Sequence, residues 1–318
     1  MKKLLFTIFC ITQIGFILVY PTEALKAARE GLNLWLNVMI PTLLPFLICT
    51  GILVQTGLIS RLLAPFKTLW KIVFGISPAG AYAVLVGMLC GYPMGAKTTS
   101  DLYENGQITK KEAEYLLTFV NQPSPVFVRT YLCQICLNDR VPFFKMMLIL
   151  LASEWMTAQF FRFIIFRKKN YFGEETVMKK ETPATSSSEA FLDVSIMNGF
   201  ETITRLGGYI LMFAILSACI SRWYIPHNVP GYLLTGILEL TTGLYRLQPL
   251  ILPDITKSIL AVFLTASGGV CIAAQTRSLV TKELSVRSYI VAKPLNGVIA
   301  VILILRSEEH TSELQSPC

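Results

Sequence analysis

Charge is what this chain has least of. Only 15% of its 318 residues are Asp, Glu, Lys or Arg, against about a quarter in an ordinary soluble domain. Histidine is nearly absent, with two in all. No His, Cys and carboxylate residues cluster at metal-ligand spacing, and no activated nucleophile is visible. No G-x-x-x-x-G-K-[ST] loop is present to cradle a nucleotide. An enzyme is not expected, no metal or cofactor is implied, and movement of a solute would be secondary or passive. A basic face on a soluble fold is also missing, which excludes nucleic acid as a partner.

What is present is apolar. Hydrophobic residues make up 53% of the chain and the mean hydropathy is +0.56. Mostly apolar runs of about 17 residues or more, long enough to cross a bilayer, recur along it. The pattern predicts an all-α, polytopic helical protein of the bacterial plasma membrane, with the lipid bilayer as its main partner. The basic residues gather beside the apolar runs: "MKK" at the start, Arg61, Lys67 and Lys71, and "RKK" at 167–169 with Lys179 and Lys180. This is the positive-inside pattern of cytoplasmic loops.

The last thirteen residues, "RSEEHTSELQSPC" (306–318), are polar and resemble a translated sequencing adapter. They are expected to be an artefact that truncates the last helix. They carry one Arg and three Glu, a net of −2, so the remainder is +8 − (−2) = +10. Most of the other cysteines lie in apolar runs, where a thiol behaves as a small hydrophobe. "CQIC" (Cys133, Cys136) has redox or zinc spacing but lacks a second pair or a nearby His, and reads as structural.

Five segments follow. Residues 1–20 form a first transmembrane helix, uncleaved because no small-residue cleavage site follows it. Residues 21–166 form a first repeat. A polar Ser/Thr-rich linker, 167–190, is expected to be cytoplasmic and disordered. Residues 191–305 form a second repeat, cut short by the tail at 306–318. Each repeat opens on an expected interfacial amphipathic helix. In the first, Leu25, Ala28, Leu32 and Trp35 share one face. In the second, Phe191, Val194, Met197, Phe200, Ile203 and Leu206 step by three.

Each repeat also holds an apolar segment broken by glycine. "GYPMGAKTTSDL" (91–102) is matched to "GGVCIAAQTRSL" (268–279). With a cytoplasmic linker between them, the halves would be inverted repeats with re-entrant or broken helices, which point to a site near mid-membrane. A broken helix exposes backbone groups costing several kcal/mol each unless protein or a polar cavity satisfies them. Gly91, Gly95, Gly268 and Gly269 permit such a break, and Pro93 enforces one. Lys97 adds a charge after it. Asn121, Gln122 and Ser124 offer hydrogen-bonding groups at a second break, and Gln275, Thr276 and Glu239 offer partners from the other half. Glu239 lies in an apolar stretch, where an ionisable group is a functional candidate. Plainer readings stand beside these. Lys97 also fits a lysine reaching the headgroups or pairing with Asp101. Glu239 also fits a helix end at the interface, and Gly268 and Gly269 also fit close helix packing.

The run "GYPMGAKTTSDLYENGQITKKEAEYLLTFVNQPSPVF" resembles the signature of the YlbJ-type sporulation integral membrane proteins, and "GILELTTG" and "SGGVCIAAQ" resemble that family's second-half motifs. The resemblance implies a Gate (nucleoside-recognition) domain, shared with nucleoside and ferrous-iron transporters. It carries a site onto Gly91, Tyr92, Pro93, Gly95, Lys97, Asn121, Glu239, Gly268, Gly269 and Gln275, to which the break residue Ser124 is added. A small polar solute, nucleoside-like among the candidates, is the implied ligand. A non-transporting assembly protein of the spore envelope, as a homo-oligomer or with sporulation membrane partners, is the other reading.

Overall fold

The structure is a computed structural model that describes residues 2–56, 62–167, 188–223 and 229–315. The linker expected over 167–190 lies outside them except at its ends, as does His227. The described residues are helical with no strand. Four helical stretches are long and apolar enough to cross a membrane, and six are if two sharply bent pairs count as one span each. The chain is an all-α, multi-pass membrane protein.

The first half opens with α1 (Lys2–Val19) and α2 (Pro21–Leu34), which passes through a π-helical turn into α3 (Ile40–Thr56). The basic helix α4 (Lys67–Val73) follows, then α5 (Pro78–Cys90) and α6 (Met94–Glu104). Helix α7 (Lys110–Leu116) leads through an unwound stretch to the π-helical α8 (Val128–Cys136), and α9 (Phe143–Phe160) closes the half. The second half runs α10 (Ser188–Trp223), α11 (Val229–Leu238), α12 (Leu240–Leu247), α13 (Asp254–Ser267), α14 (Gly269–Leu279) and α15 (Arg287–Gln315).

Glycine contacts show how these pieces fold back. The α-carbon of Gly95 lies 3.4 Å from where a Gly87 Cβ would sit, so α5 and α6 double back around residues 91–93. Gly243 meets Gly236 in the same way, so α11 and α12 double back around Glu239. These are two re-entrant hairpins. An interrupted helical stretch follows each one. In the first half it is the pair of short helices α7 and α8, unwound at Asn121–Ser124. In the second it is the 26-residue span Asp254–Leu279, interrupted at Gly268. A full span, Phe143–Ile165 or Arg287–Glu308, then completes each half.

The halves therefore correspond as hairpin, broken span and full span. This changes the register expected from sequence. Gly91 is a hairpin tip and matches the Glu239 turn, whereas Gly268 interrupts a straight span and matches residues 121–124. Local glycine content could not tell a reversal of direction from a pause in a continuing helix. The span-length helices α9 and α10 lie between the hairpins. A hairpin returns to its own face, so with α7–α8 taken as a third crossing, an odd number, the hairpins open on opposite faces. The loop contacts agree. The turn after α14 meets the base of the first hairpin, with Thr281 N donating to Ser100 Oγ at 2.9 Å and Tyr103 Oη to Glu283 at 2.8 Å. On the other face Arg140 pairs with Asp254, and Lys257 donates to the Gln248 carbonyl at 2.9 Å.

In the amphipathic entry segments most of the large apolar residues stay on the surface, while Ile203 and Leu206 are buried. Helices α2 and α3 pack on α10, and the side they bury is the side of small residues. Ala24, Ala27 and Gly31 are buried, whereas Leu25 and Leu32 are exposed. In α10, Ser195 and Gly199 face inward while Val194, Met197 and Phe200 look out. Gly51 meets Ser195, Gly199 meets Leu44 and Ile48, and Gly31 meets Ala214. Lipid is as apolar as leucine, so large apolar residues gain little by facing protein. Small residues let helices approach closely.

Candidate functional site

Each hairpin tip abuts the break of the span that follows it. At Gly91 (φ +80°) a Cβ would lie 2.6 Å from the Ser124 amide nitrogen. Cβ atoms on Gly87 and Gly95 would strike the Val120 carbonyl. At Gly269 (φ +76°) a Cβ would lie 2.7 Å from the Ile237 carbonyl oxygen. Glycine at these places is required by backbone meeting backbone. The peptide between Tyr92 and Pro93 is cis. The freed helix ends are capped locally. Ser124 Oγ accepts from Phe127 N at 3.2 Å. The Glu239 carboxylate accepts from Thr241 N at 3.1 Å and Thr242 N at 2.6 Å. A carboxylate at a helix N-terminus satisfies orphan donors and complements the dipole.

The remaining sequence-predicted residues do not all share one cluster. Glu239 lines a cavity of about 710 Å³, within the range of ligand sites. The cavity runs from Glu23 and Lys26 of α2 and Arg222 of α10 to Tyr131 and Glu239 at the second tip. The Tyr92 ring packs edge-on to Phe127 with centroids 5.9 Å apart. Its hydroxyl is buried without a hydrogen-bond partner. Asn121 reaches across the halves, donating through Nδ2 to Thr276 Oγ1 at 2.8 Å. Its Oδ1 accepts nothing. Lys97 and Gln275 stay apart from this arrangement. Lys97 pairs with Asp101 one turn on, and the buried Gln275 amide reaches Cys271 Sγ at 3.4 Å. Helices α6 and α14, which carry them, do pack against one another.

Sequence reading missed a buried polar seam on the last span of each half. Lys293 Nζ donates to Glu154 Oε1 at 2.7 Å, with both side chains 5% exposed. Asn296 Nδ2 donates to the Ala266 carbonyl at 3.1 Å, one of the carbonyls freed by the Gly268 break. Thr157 Oγ1 lies 3.4 Å from Asn296 Oδ1. Tyr289, Lys293 and Asn296 are spaced i, i+4 and i+7 on one face of α15. The signal was present: Glu154 and Lys293 are ionisable groups within apolar runs, the criterion that selected Glu239. No group of three or more His, Cys, Asp or Glu positioned for a metal occurs among the described residues.

No family model matches the chain, and no solved structure does. Among curated proteins it is 24% identical, over 345 aligned residues, to the sporulation integral membrane protein YlbJ of Bacillus subtilis (strain 168). The alignment covers 96% of this chain and 82% of the relative. Over nearly its whole length the chain is therefore similar to a YlbJ-like family of sporulation integral membrane proteins, as its first-half motif implied.

Proposed function

We propose that this protein serves sporulation as a membrane transporter of the Gate type, giving a small polar solute passage between two opposed hairpins. The observation that carries the reading is the cavity of about 710 Å³ that ends on Glu239 at the second hairpin tip. By the positive-inside rule, the first hairpin's base is cytoplasmic, because Lys67, Lys71, Lys110, Lys111 and Arg167 lie on that face. The cavity then opens outward and stops at the tip. Movement of the hairpins against the broken spans would open the other side, the alternating access expected of inverted repeats. The lining holds acidic, basic and aromatic groups, which suits a neutral or zwitterionic solute with hydrogen-bonding edges, nucleosides included. No catalytic role and no cofactor belong to this reading.

The test is a solute panel on full-length protein in lipid vesicles, read by thermal stabilisation and by uptake. A stabilising solute should enter wild-type vesicles, and Glu239→Gln should slow entry about tenfold or more, because a hydrogen bond to a charged group is worth about 1.5–3 kcal/mol. Lys97→Ala should act less, since Lys97 pairs with Asp101. A second reading, favoured by the name of the similar protein, is a non-transporting role in building the spore envelope. A panel in which no solute stabilises the protein, with Glu239→Gln still sporulating, would select it.

A further inference from the structure

Glu154 and Lys293 sit where charges are hardest to keep. Glu154 is midway along the span Phe143–Ile165, and Lys293 is on the span Arg287–Glu308. Both ions have lost their water, and one bond of 2.7 Å joins them. A buried ion pair seldom stabilises a fold more than apolar residues of the same shape would. The pair is also incomplete. Glu154 Oε2 is buried and accepts no hydrogen bond, and inside a membrane an unsatisfied carboxylate oxygen is costly.

We propose that this pair is a proton-binding site at mid-bilayer, with Glu154 Oε2 as the acceptor. Hydronium gives up one proton and leaves as water. The carboxylate becomes a neutral carboxylic acid, Lys293 remains an ammonium, and the pair's charge rises from zero to +1. A metal cation is a poor alternative ligand, because the ammonium already occupies the other carboxylate oxygen and repels it. Beside Glu154 lie Lys293 of α15, which bonds to it, and the Asn296 amide on the same face of α15. Helix α8 also packs on α9 and carries the buried thiols Cys133 and Cys136.

Uptake of the proton also has a structural consequence. It removes the ionic bond between α9 and α15, the last spans of the two halves. The same face of α15 holds the Ala266 carbonyl through Asn296, so the bond's state reaches the break at Gly268. This inference needs no solute and stands apart from the transport reading.

The experiment is pH-dependent difference infrared spectroscopy of the full-length protein in phospholipid vesicles. Wild type should show a buried carboxylic acid C=O band that grows as pH falls. Glu112 is also buried and contributes a band of its own, so the reference is Glu112→Gln, which should keep the band. Adding the double substitution Glu154→Gln, Lys293→Gln, which strands no charge, should remove it. A Glu112→Gln protein without such a band, or a band that survives the added double substitution, overturns the proposal. Should the double variant fail to fold, Lys293→Met decides. Its band should persist to more alkaline pH because the carboxylate has lost its counter-charge. An unchanged midpoint overturns the proposal equally.

Discussion

At residue scale, the glycines at the tips and breaks are fixed by what lies against them. Gly91 combines a left-handed φ of +80° with the Ser124 backbone 2.6 Å from where a Cβ would be. Gly91→Ala should therefore lower stability by about 1–3 kcal/mol, read as a fall in thermal midpoint in detergent. Gly208, on α10, has open space around it, with nothing within 4 Å of where a Cβ would sit. Gly208→Ala should leave the midpoint unchanged or raise it, by up to about 1 kcal/mol. Equal midpoints for the two variants would remove the steric account of the tip. Asn121 is another fixed point, since its amide joins the first break to Thr276 in the second half. Both glycine and asparagine were legible as candidates because few residue types suit a broken membrane helix. Their partners were not, because Ser124, Val120 and Thr276 are chosen by folding.

At element scale, the long helices show which face a membrane helix buries. The apolar stripes read from sequence were real, but the protein turned many of their large members toward lipid and packed α2 and α3 on α10 through Ala24, Ala27, Gly31 and Gly199. Substituting Gly31→Leu or Gly199→Leu should cost about 1–3 kcal/mol by overpacking, while Leu25→Ala should change the thermal midpoint little. The opposite order would remove the small-residue packing account of α2. The half-helices after Gly91 and Gly268 make a second element-scale contact, closed by the 2.9 Å bond from Thr281 N to Ser100 Oγ. A side chain that close to a partner's backbone puts Ser100 and Thr281 near disulfide range. The pair Ser100→Cys, Thr281→Cys should cross-link on oxidation in a background without other cysteines. Failure to cross-link would separate the two halves at this face.

At the scale of the whole molecule, the hairpin bases lie on opposite faces if α7–α8 crosses the membrane as α9 and α10 do. Glu104→Cys ends the first hairpin and Gln248→Cys follows the second, and both native residues are exposed. A membrane-impermeant thiol reagent added to one side of sealed vesicles should label one and spare the other. Labelling of both from one side would remove the inversion and the gating scheme built on it. The buried Glu154–Lys293 pair belongs to this scale as well, since it exists only when the last spans of both halves are in place.

Composition alone determined that the chain is helical and crosses the bilayer repeatedly, because backbone groups in hydrocarbon must bond within their own segment. The sequence also marked where helices break, through Gly91, Pro93, Asn121 and Gly268, since those residue types are costly elsewhere in a span. It left open whether each break reverses the chain or only interrupts it, and which apolar face meets protein. It also did not show that an acid and a lysine 139 residues apart would be neighbours. Those outcomes depend on contacts between distant segments, and the tertiary structure settled them by bringing backbone against backbone at the tips and charge against charge at mid-membrane.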